Sequence, residues 1–117
     1  MIAGIASALS GIQTGGRVLS VGAHNIANAQ TEGFKWTRAL PEESSVGGGV
    51  TVTLQTDDRP GPQFLSSEDS STLWEGSNVD IGSEIISNLQ AVNLIEANIA
   101  SFRIQDKVLG SLLDNIE

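Results

Sequence analysis

The fold is decided by the last third of the sequence, residues 80–115, which read DIGSEIISNLQAVNLIEANIASFRIQDKVLGSLLDN. Apolar side chains recur there at steps of three and four, the spacing that aligns residues along one side of a helix. Asp80 is a good helix N-cap, and Glu84 places a negative charge in the first turn, where it suits the helix dipole. The segment therefore predicts a helix from Ile81 to about Asn115, roughly 50 Å long.

This predicted helix carries more apolar surface than one partner helix can cover. A single heptad frame places on one seam Ile85, Val92, Ile95, Ile99, Phe102, Leu109, Leu113 and Ile116, together with Asn88 and Asp106. Further apolar residues fall outside this seam, namely Ile86, Leu89, Leu94, Ile104, Val108 and Leu112. A chain that keeps a second apolar face is expected to be covered by other copies of itself or by related proteins.

A second helix is predicted at the start of the chain. Apolar or small residues alternate there at steps of three and four, at Ile2, Ile5, Leu9, Ile12, Gly16, Leu19, Ala23 and Ile26. Five glycines lie in the same segment, and each interior glycine costs a helix about 1 kcal/mol relative to alanine. We therefore expect this helix to form only when it packs against a partner.

The two terminal patterns together predict a mainly α fold. Its long N- and C-terminal helices form an antiparallel coiled-coil hairpin, with a small β flap in the middle. We assign residues 1–28 and 78–117 to the terminal helical coiled-coil domain and residues 29–77 to a short β/loop insertion.

Three short segments of the insertion are candidate strands. The clearest alternates polar and apolar β-branched residues, and the full set is Phe34–Arg38, Val50–Leu54 and Phe64–Leu65. Residues 44–49 are predicted to be a flexible connector, residues 66–71 a mobile polar segment, and Asn28 a left-handed cap at the end of the first helix. Trp36 and Trp74 are interpreted as anchors that pack the flap on the helices.

Composition excludes several classes of protein. The net charge is -8, from 14 acidic and 6 basic residues, so the chain lacks the basic surface that nucleic-acid binding needs. The sequence contains no cysteine, which rules out disulfides and thiolate sites. No apolar run approaches the roughly 18 residues of a membrane span, and no basic N-terminal block precedes Arg17, so neither membrane insertion nor a cleaved leader is expected.

No catalytic, cofactor or metal site is predicted. His24 is the only histidine, and neither of its helical neighbours, Arg17 and Asn25, is a nucleophile or a carboxylate. Asp57 and Asp58 are adjacent residues in a predicted turn, and their side chains are expected to point apart. We therefore expect a structural or binding protein rather than an enzyme.

Two motifs, one near each end, carry a resemblance to a known family. The stretch Asn25-Ile26-Ala27-Asn28-Ala29-Gln30-Thr31-Glu32-Gly33-Phe34-Lys35 resembles the N-terminal signature of flagellar axial proteins, which include rod, hook and hook-associated proteins. Ser77-Asn78-Val79-Asp80, followed by Glu84, Gln90-Ala91 and Glu96-Ala97-Asn98, is similar to the C-terminal signature of the same family. Because the middle is short, the chain looks most like the proximal rod subunits.

The resemblance implies a structural rod protein of the bacterial flagellum basal body, with a role in motility. It implies terminal helices that pair as a coiled coil lining a hollow axial tube in the periplasm. Export from the cytoplasm would use the flagellar type III apparatus without cleavage of a signal peptide. The implied partners are that apparatus, other rod subunits and the chain itself, in a homo- or hetero-oligomer. The residues that match the family motifs are Asn25, Asn28, Thr31, Gly33, Phe34, Asn78, Asp80, Glu96 and Asn98.

Self-assembly is assigned to the predicted seams of the two helices. The residues expected at the assembly interface are Leu9, Ile12, Leu19, Ile26, Ile95, Ile99, Phe102 and Leu109. An alternative function is a small acidic helical binding module, such as a type III secretion chaperone. That alternative predicts a stable folded dimer with an acidic groove, and it does not require the extreme termini.

Overall fold

A computed structural model describes residues 2–45, 47–66 and 72–115 of the chain. Helix α1 spans Ile2–Ala27 and helix α2 spans Ile81–Asp114. Within the described residues, four short strands and their connections lie between the two helices. The predicted order of two long terminal helices around a small β region is therefore confirmed.

The two helices lie side by side and run antiparallel. Gly4 of α1 faces Gln105 of α2, whereas Gly22 faces Asn88, so residue numbers fall along one helix as they rise along the other. Helix α1 has 26 residues and α2 has 34. At 1.5 Å per residue, α2 is about 51 Å long and extends about two turns beyond the start of α1.

Strands β1 (Thr37–Glu43) and β2 (Val50–Thr56) form an antiparallel hairpin. The strand predicted at residues 50–54 is confirmed. The strand predicted at residues 34–38 begins only at Thr37, because the Phe34 carbonyl and the Trp36 backbone N–H both bond to Asn78. The predicted flexible connector is the hairpin turn, in which Gly47, Gly48 and Gly49 have φ angles of 79°, 75° and 101°, a backbone region that favours glycine. The hairpin folds back along α1, where the Val50 backbone N–H donates to Ser10 Oγ at 3.1 Å.

Strands β3 (Gln63–Leu65) and β4 (Leu73–Glu75) form a second antiparallel hairpin. The predicted return strand is therefore confirmed, while the predicted mobile segment falls largely on residues 67–71, outside the described residues. Trp74 stacks on Phe64 with ring centroids 4.7 Å apart. The prediction that Trp74 anchors the flap on the helices is wrong, since β3 and β4 contact only each other among the described elements.

The molecule is long and has very little core. Its dimensions are 80 × 25 × 14 Å with a radius of gyration of 20.7 Å, against about 13 Å for a compact chain of this length. Its accessible surface is 8086 Å², whereas a compact monomer of this mass exposes about 6,000 Å². Among the described residues, the only fully buried hydrophobic side chains are Ala8 and Ala91.

Candidate assembly interface

Four glycines on α1 lie directly against side chains of α2. The side-chain amides of Gln105, Asn98 and Asn88 lie against Gly4, Gly11 and Gly22, and a Cβ atom added at any of these glycines would come too close to them. Between these contacts, Ile95 lies against Gly15. We call this set of four contacts the glycine–amide ladder. It brings the two backbones close together, since a Cβ atom at Gly15 would lie 3.2 Å from the Ala91 carbonyl oxygen.

The predicted apolar seam of α1 is not the stripe that faces α2. The contacting stripe is shifted by one residue and consists of Gly4, Ala8, Gly11, Gly15, Gly22 and Asn25. The physical reason is size, because large side chains in this stripe would hold the helices apart. On α2, three residues of the predicted seam are also not covered by α1. Ile85, Val92 and Leu113 are 50%, 39% and 58% exposed.

Many large apolar side chains of the two helices consequently stay exposed. Ile86, Leu89, Leu94 and Ile104 were predicted to be left over by a single helix partner, and this is confirmed by their exposures of 59%, 61%, 42% and 63%. Large apolar residues normally occupy the interior of a monomeric domain. These residues are therefore candidates for a surface covered by another molecule.

The eight residues assigned to assembly are divided between exposed and half-buried positions. Leu9 is 47% exposed, and the other seven are half-buried, namely Ile12, Leu19, Ile26, Ile95, Ile99, Phe102 and Leu109. Ile95 is used inside the hairpin, against Gly15. Assignment of these residues to a contact between subunits stays a prediction.

A buried amide and a buried carboxylate join both helices to the β region. The Asn25 side chain is completely buried. It accepts from the Thr37 backbone N–H at 3.1 Å, and its amide donates to the Thr37 carbonyl at 2.7 Å and to Glu84 Oε2 at 3.2 Å. The indole N–H of Trp36 donates to the other oxygen of Glu84, so Trp36 does anchor the flap to a helix. Asn25 and Glu84 thereby fix the place where α1, α2 and β1 meet.

Asn78 ties together three segments next to this point. Its Oδ1 accepts from the Trp36 backbone N–H at 2.6 Å, and its amide donates to the carbonyls of Asp57 and Arg59 at 2.8 and 2.9 Å. The Asn78 backbone N–H donates to the Phe34 carbonyl at 3.3 Å. The two motifs that lie far apart in the sequence are thus joined by direct hydrogen bonds.

The first motif also forms the bend that leaves α1. The side chain of Asn28 donates to the His24 carbonyl at 2.9 Å and accepts from the Thr31 hydroxyl at 3.1 Å. No described residue other than glycine has a positive φ, so the left-handed cap predicted for Asn28 is wrong. Gly33, with φ of 64°, supplies that conformation instead. Phe34 packs edge-on against His24 at 5.4 Å, which gives the lone histidine a packing contact.

Two ion pairs hold the loops beside the second hairpin. The hydrogen bond from the Arg59 side chain, followed by one from its backbone, lowers the pKa of Asp57 to about 2. Lys35 pairs with Glu75, which also accepts from the Gly61 backbone N–H at 2.7 Å. These two bonds lower the pKa of Glu75, and the bond from the Lys35 side chain has the larger effect.

The remaining motif residues have separate positions on α2. Asp80 is the N-cap, since its carboxylate accepts from the Ser83 backbone N–H at 3.0 Å, as predicted. Asn98 belongs to the glycine–amide ladder, and its amide also donates to the Leu94 carbonyl at 2.8 Å. Glu96 is exposed on the helix surface.

Sequence reasoning missed the exposed pairs of the second β hairpin. Phe64, Leu65, Leu73 and Trp74 are 45%, 65%, 60% and 36% exposed. Their cross-strand pairing depends on the register between β3 and β4, and no local pattern in the sequence shows it. Within the described ranges, no group of three or more His, Asp or Glu residues is placed to hold a metal ion. No helix in this part of the chain is long and apolar enough to cross a bilayer.

Comparison of the sequence with protein-family models and with curated proteins finds no match.

Proposed function

We propose that this chain is a structural subunit of the bacterial flagellar basal-body rod, polymerising helically through its terminal helices. The proposal includes export by the flagellar type III system and pairing of the helices as a coiled coil lining the rod. The observation that carries it is the arrangement of the hairpin, in which glycines of α1 lie against α2 while large apolar residues such as Ile86 and Leu89 stay exposed. The family motifs support it too, since Asn25 and Asn78 fix the junction between helices and flap.

The energy available from assembly is large on the scale of a single domain. Eleven large apolar side chains of α1 and α2 are at least about one-third exposed: Leu9, Ile81, Ile85, Ile86, Leu89, Val92, Leu94, Ile104, Val108, Leu112 and Leu113. Complete burial of one such side chain contributes about 1.5–3 kcal/mol, so covering the exposed half contributes about 1 kcal/mol. The sum of about 10 kcal/mol equals the whole folding stability of a typical domain. This gain is of the same order as the about 4–15 kcal/mol that association costs in lost freedom of motion, so burial by neighbouring subunits supports polymerisation.

Substitution of two outward-facing residues tests the proposal. In the double variant Ile86→Glu and Leu89→Glu, charge replaces side chains that are 59% and 61% exposed in the free chain. The isolated variant is expected to keep its helical circular dichroism, because neither residue lies in the glycine–amide ladder. Charges at a buried subunit contact are strongly destabilising, so we expect the variant to be missing from purified basal bodies and the cells to be non-motile.

A matched control is available on β2, which contacts α1 and not α2 among the described elements. Gln55 is exposed and polar there, and Gln55→Glu is expected to leave incorporation and motility unchanged. Normal incorporation of the Ile86/Leu89 variant would refute the role given to this face. Recovery of the wild-type chain as a cytoplasmic dimer bound to an unfolded export substrate would favour the chaperone alternative instead.

A further inference from the structure

One buried polar atom between the two helices has no ordinary hydrogen-bond donor. Within the described residues, the side-chain oxygen Oδ1 of Asn88 is buried and accepts no bond from any N–H or O–H group. Buried acceptors in native proteins are nearly always hydrogen-bonded, because an acceptor that loses water without gaining a partner destabilises the fold. We therefore expect a donor of another kind beside this oxygen.

The backbone of Gly22 lies next to the Asn88 oxygen. A Cβ atom added at Gly22 would collide with Oδ1, whereas the amide nitrogen of Asn88 would be 3.0 Å away. Glycine carries a hydrogen atom where other residues carry Cβ, so this α-hydrogen of Gly22 points at the oxygen. A carbon–carbon bond is about 1.5 Å long, which places Oδ1 no more than about 3.7 Å from the Gly22 Cα atom.

The same arrangement recurs near the other end of the helix contact. A Cβ atom added at Gly4 would collide with Oε1 of Gln105, whose Nε2 would be 3.1 Å away. Gln105 lies about 26 Å along α2 from Asn88. The amide of Asn98 lies differently, since its oxygen and nitrogen would be 2.5 and 2.7 Å from a Cβ atom at Gly11. Its side chain therefore lies flat on Gly11, and only the two outer amides aim an oxygen at a glycine.

We propose that the α-hydrogens of Gly22 and Gly4 donate Cα–H···O hydrogen bonds to the side-chain oxygens of Asn88 and Gln105. Carbon–oxygen distances of about 3.3–3.6 Å are typical of such bonds, which recur where two helices pack closely. The bond from Gly22 gives the buried Asn88 oxygen its donor. This inference does not depend on the proposed function, because it concerns the hairpin of the isolated chain.

The two bonds make Asn88 and Gln105 positioning residues of the hairpin. Each bond forms only when a glycine backbone comes close to the amide, so each bond sets the distance between the helices at one point. Two such points, about 26 Å apart, limit the rotation and tilt of α1 on α2. Leu9, which is 47% exposed, is thereby held outside the helix contact, where a neighbouring molecule can reach it.

The α-proton chemical shifts of the glycines, measured by NMR on the full-length chain, test the proposal directly. An acceptor oxygen withdraws electron density from the proton that it binds, so one α-proton of Gly22 and one of Gly4 should resonate downfield of those of Gly16. Gly16 is a matched reference on the same helix, because a Cβ atom added there meets nothing within 4 Å.

Two variants each remove one acceptor while nearly keeping the size of the side chain. Asn88→Leu should abolish the downfield shift at Gly22 and leave that at Gly4, and Gln105→Met should do the reverse. Backbone amide protons around the affected glycine should exchange about two- to fivefold faster, the change expected for loss of one such bond. The two variants are independent, so either one that folds is sufficient for the test.

Equal α-proton shifts at Gly22 and Gly16 in the wild type would overturn the inference. A downfield shift at Gly22 that persists in Asn88→Leu would overturn it as well. Both measurements use the isolated chain, so their outcome is separate from whether the chain is incorporated into basal bodies.

Discussion

Two adjacent glycines of α1 allow a sharp test of how the helices pair. Gly15 is buried, and a Cβ atom there would collide with Ile95 Cγ1 and lie 3.2 Å from the Ala91 carbonyl oxygen. At Gly16 an added Cβ atom meets nothing within 4 Å. The substitutions Gly15→Ala and Gly16→Ala therefore change the same helical turn by the same methyl group, in two opposite environments.

The expected stability changes follow from two opposing terms. Replacing glycine by alanine in a helix interior stabilises it by about 0.5–1 kcal/mol, and Gly16→Ala should show this gain alone. Overpacking a close contact costs about 1–3 kcal/mol, so Gly15→Ala should be destabilising by about 1 kcal/mol. The difference of about 2 kcal/mol corresponds to about 8 °C in melting temperature for a domain of this size.

Thermal melts followed by circular dichroism at 222 nm measure both variants, and a double-mutant cycle identifies the cause. Ile95→Ala removes the atom that Gly15→Ala would meet, so the two substitutions together should be less damaging than their sum by about 1–2 kcal/mol. Equal stabilisation by Gly15→Ala and Gly16→Ala, or strict additivity with Ile95→Ala, would refute the close approach of the two backbones.

Two further predictions concern the junction and the loops. Asn25→Ala removes a hydrogen-bond partner from buried backbone groups of β1 and from the Glu84 carboxylate, and each buried group left without a partner costs about 1–3 kcal/mol of stability. We therefore expect a lower melting temperature. As a control, substitution of the exposed Asn93 by alanine should change stability by at most about 0.5 kcal/mol. Because the Arg59 side chain lowers the pKa of Asp57 from 3.8 to about 2, their pairing contributes stability above pH 3.8 that is lost as the pH falls toward 2. In Arg59→Gln the pKa of Asp57, followed by NMR, should return toward its ordinary value, and an unchanged titration would contradict the pairing.

The elements of the fold could be predicted from the sequence because their local signals agree with the final structure. The periodicity of α2, its N-cap at Asp80 and the alternation in β2 are all properties of neighbouring residues. They need no knowledge of the rest of the chain. The sequence also shows that α2 has more apolar residues than a single partner helix can cover.

The helix contact itself could not be predicted by the same reasoning. A heptad search places the largest apolar residues on the inside, and Leu9 and Ile12 were chosen for that reason. The stripe of α1 that contacts α2 also repeats at steps of three and four, but its members are small, so a search for large apolar residues passes over it. Likewise, the bonds of Asn25 and Asn78 join residues far apart in sequence, and only the resemblance to a family singled them out.

The five glycines of α1 have a further consequence for the order in which the two helices fold. Together they weaken the intrinsic helicity of α1 by about 5 kcal/mol relative to alanine, whereas α2 has only Gly82 and Gly110. We therefore expect α2 to form first and α1 to become helical when it packs against α2. In native-state hydrogen exchange, the backbone amide protons of α1 should exchange faster than those in the middle of α2. A ligand or subunit that binds and stabilises α2 would therefore also stabilise α1, even without contacting α1.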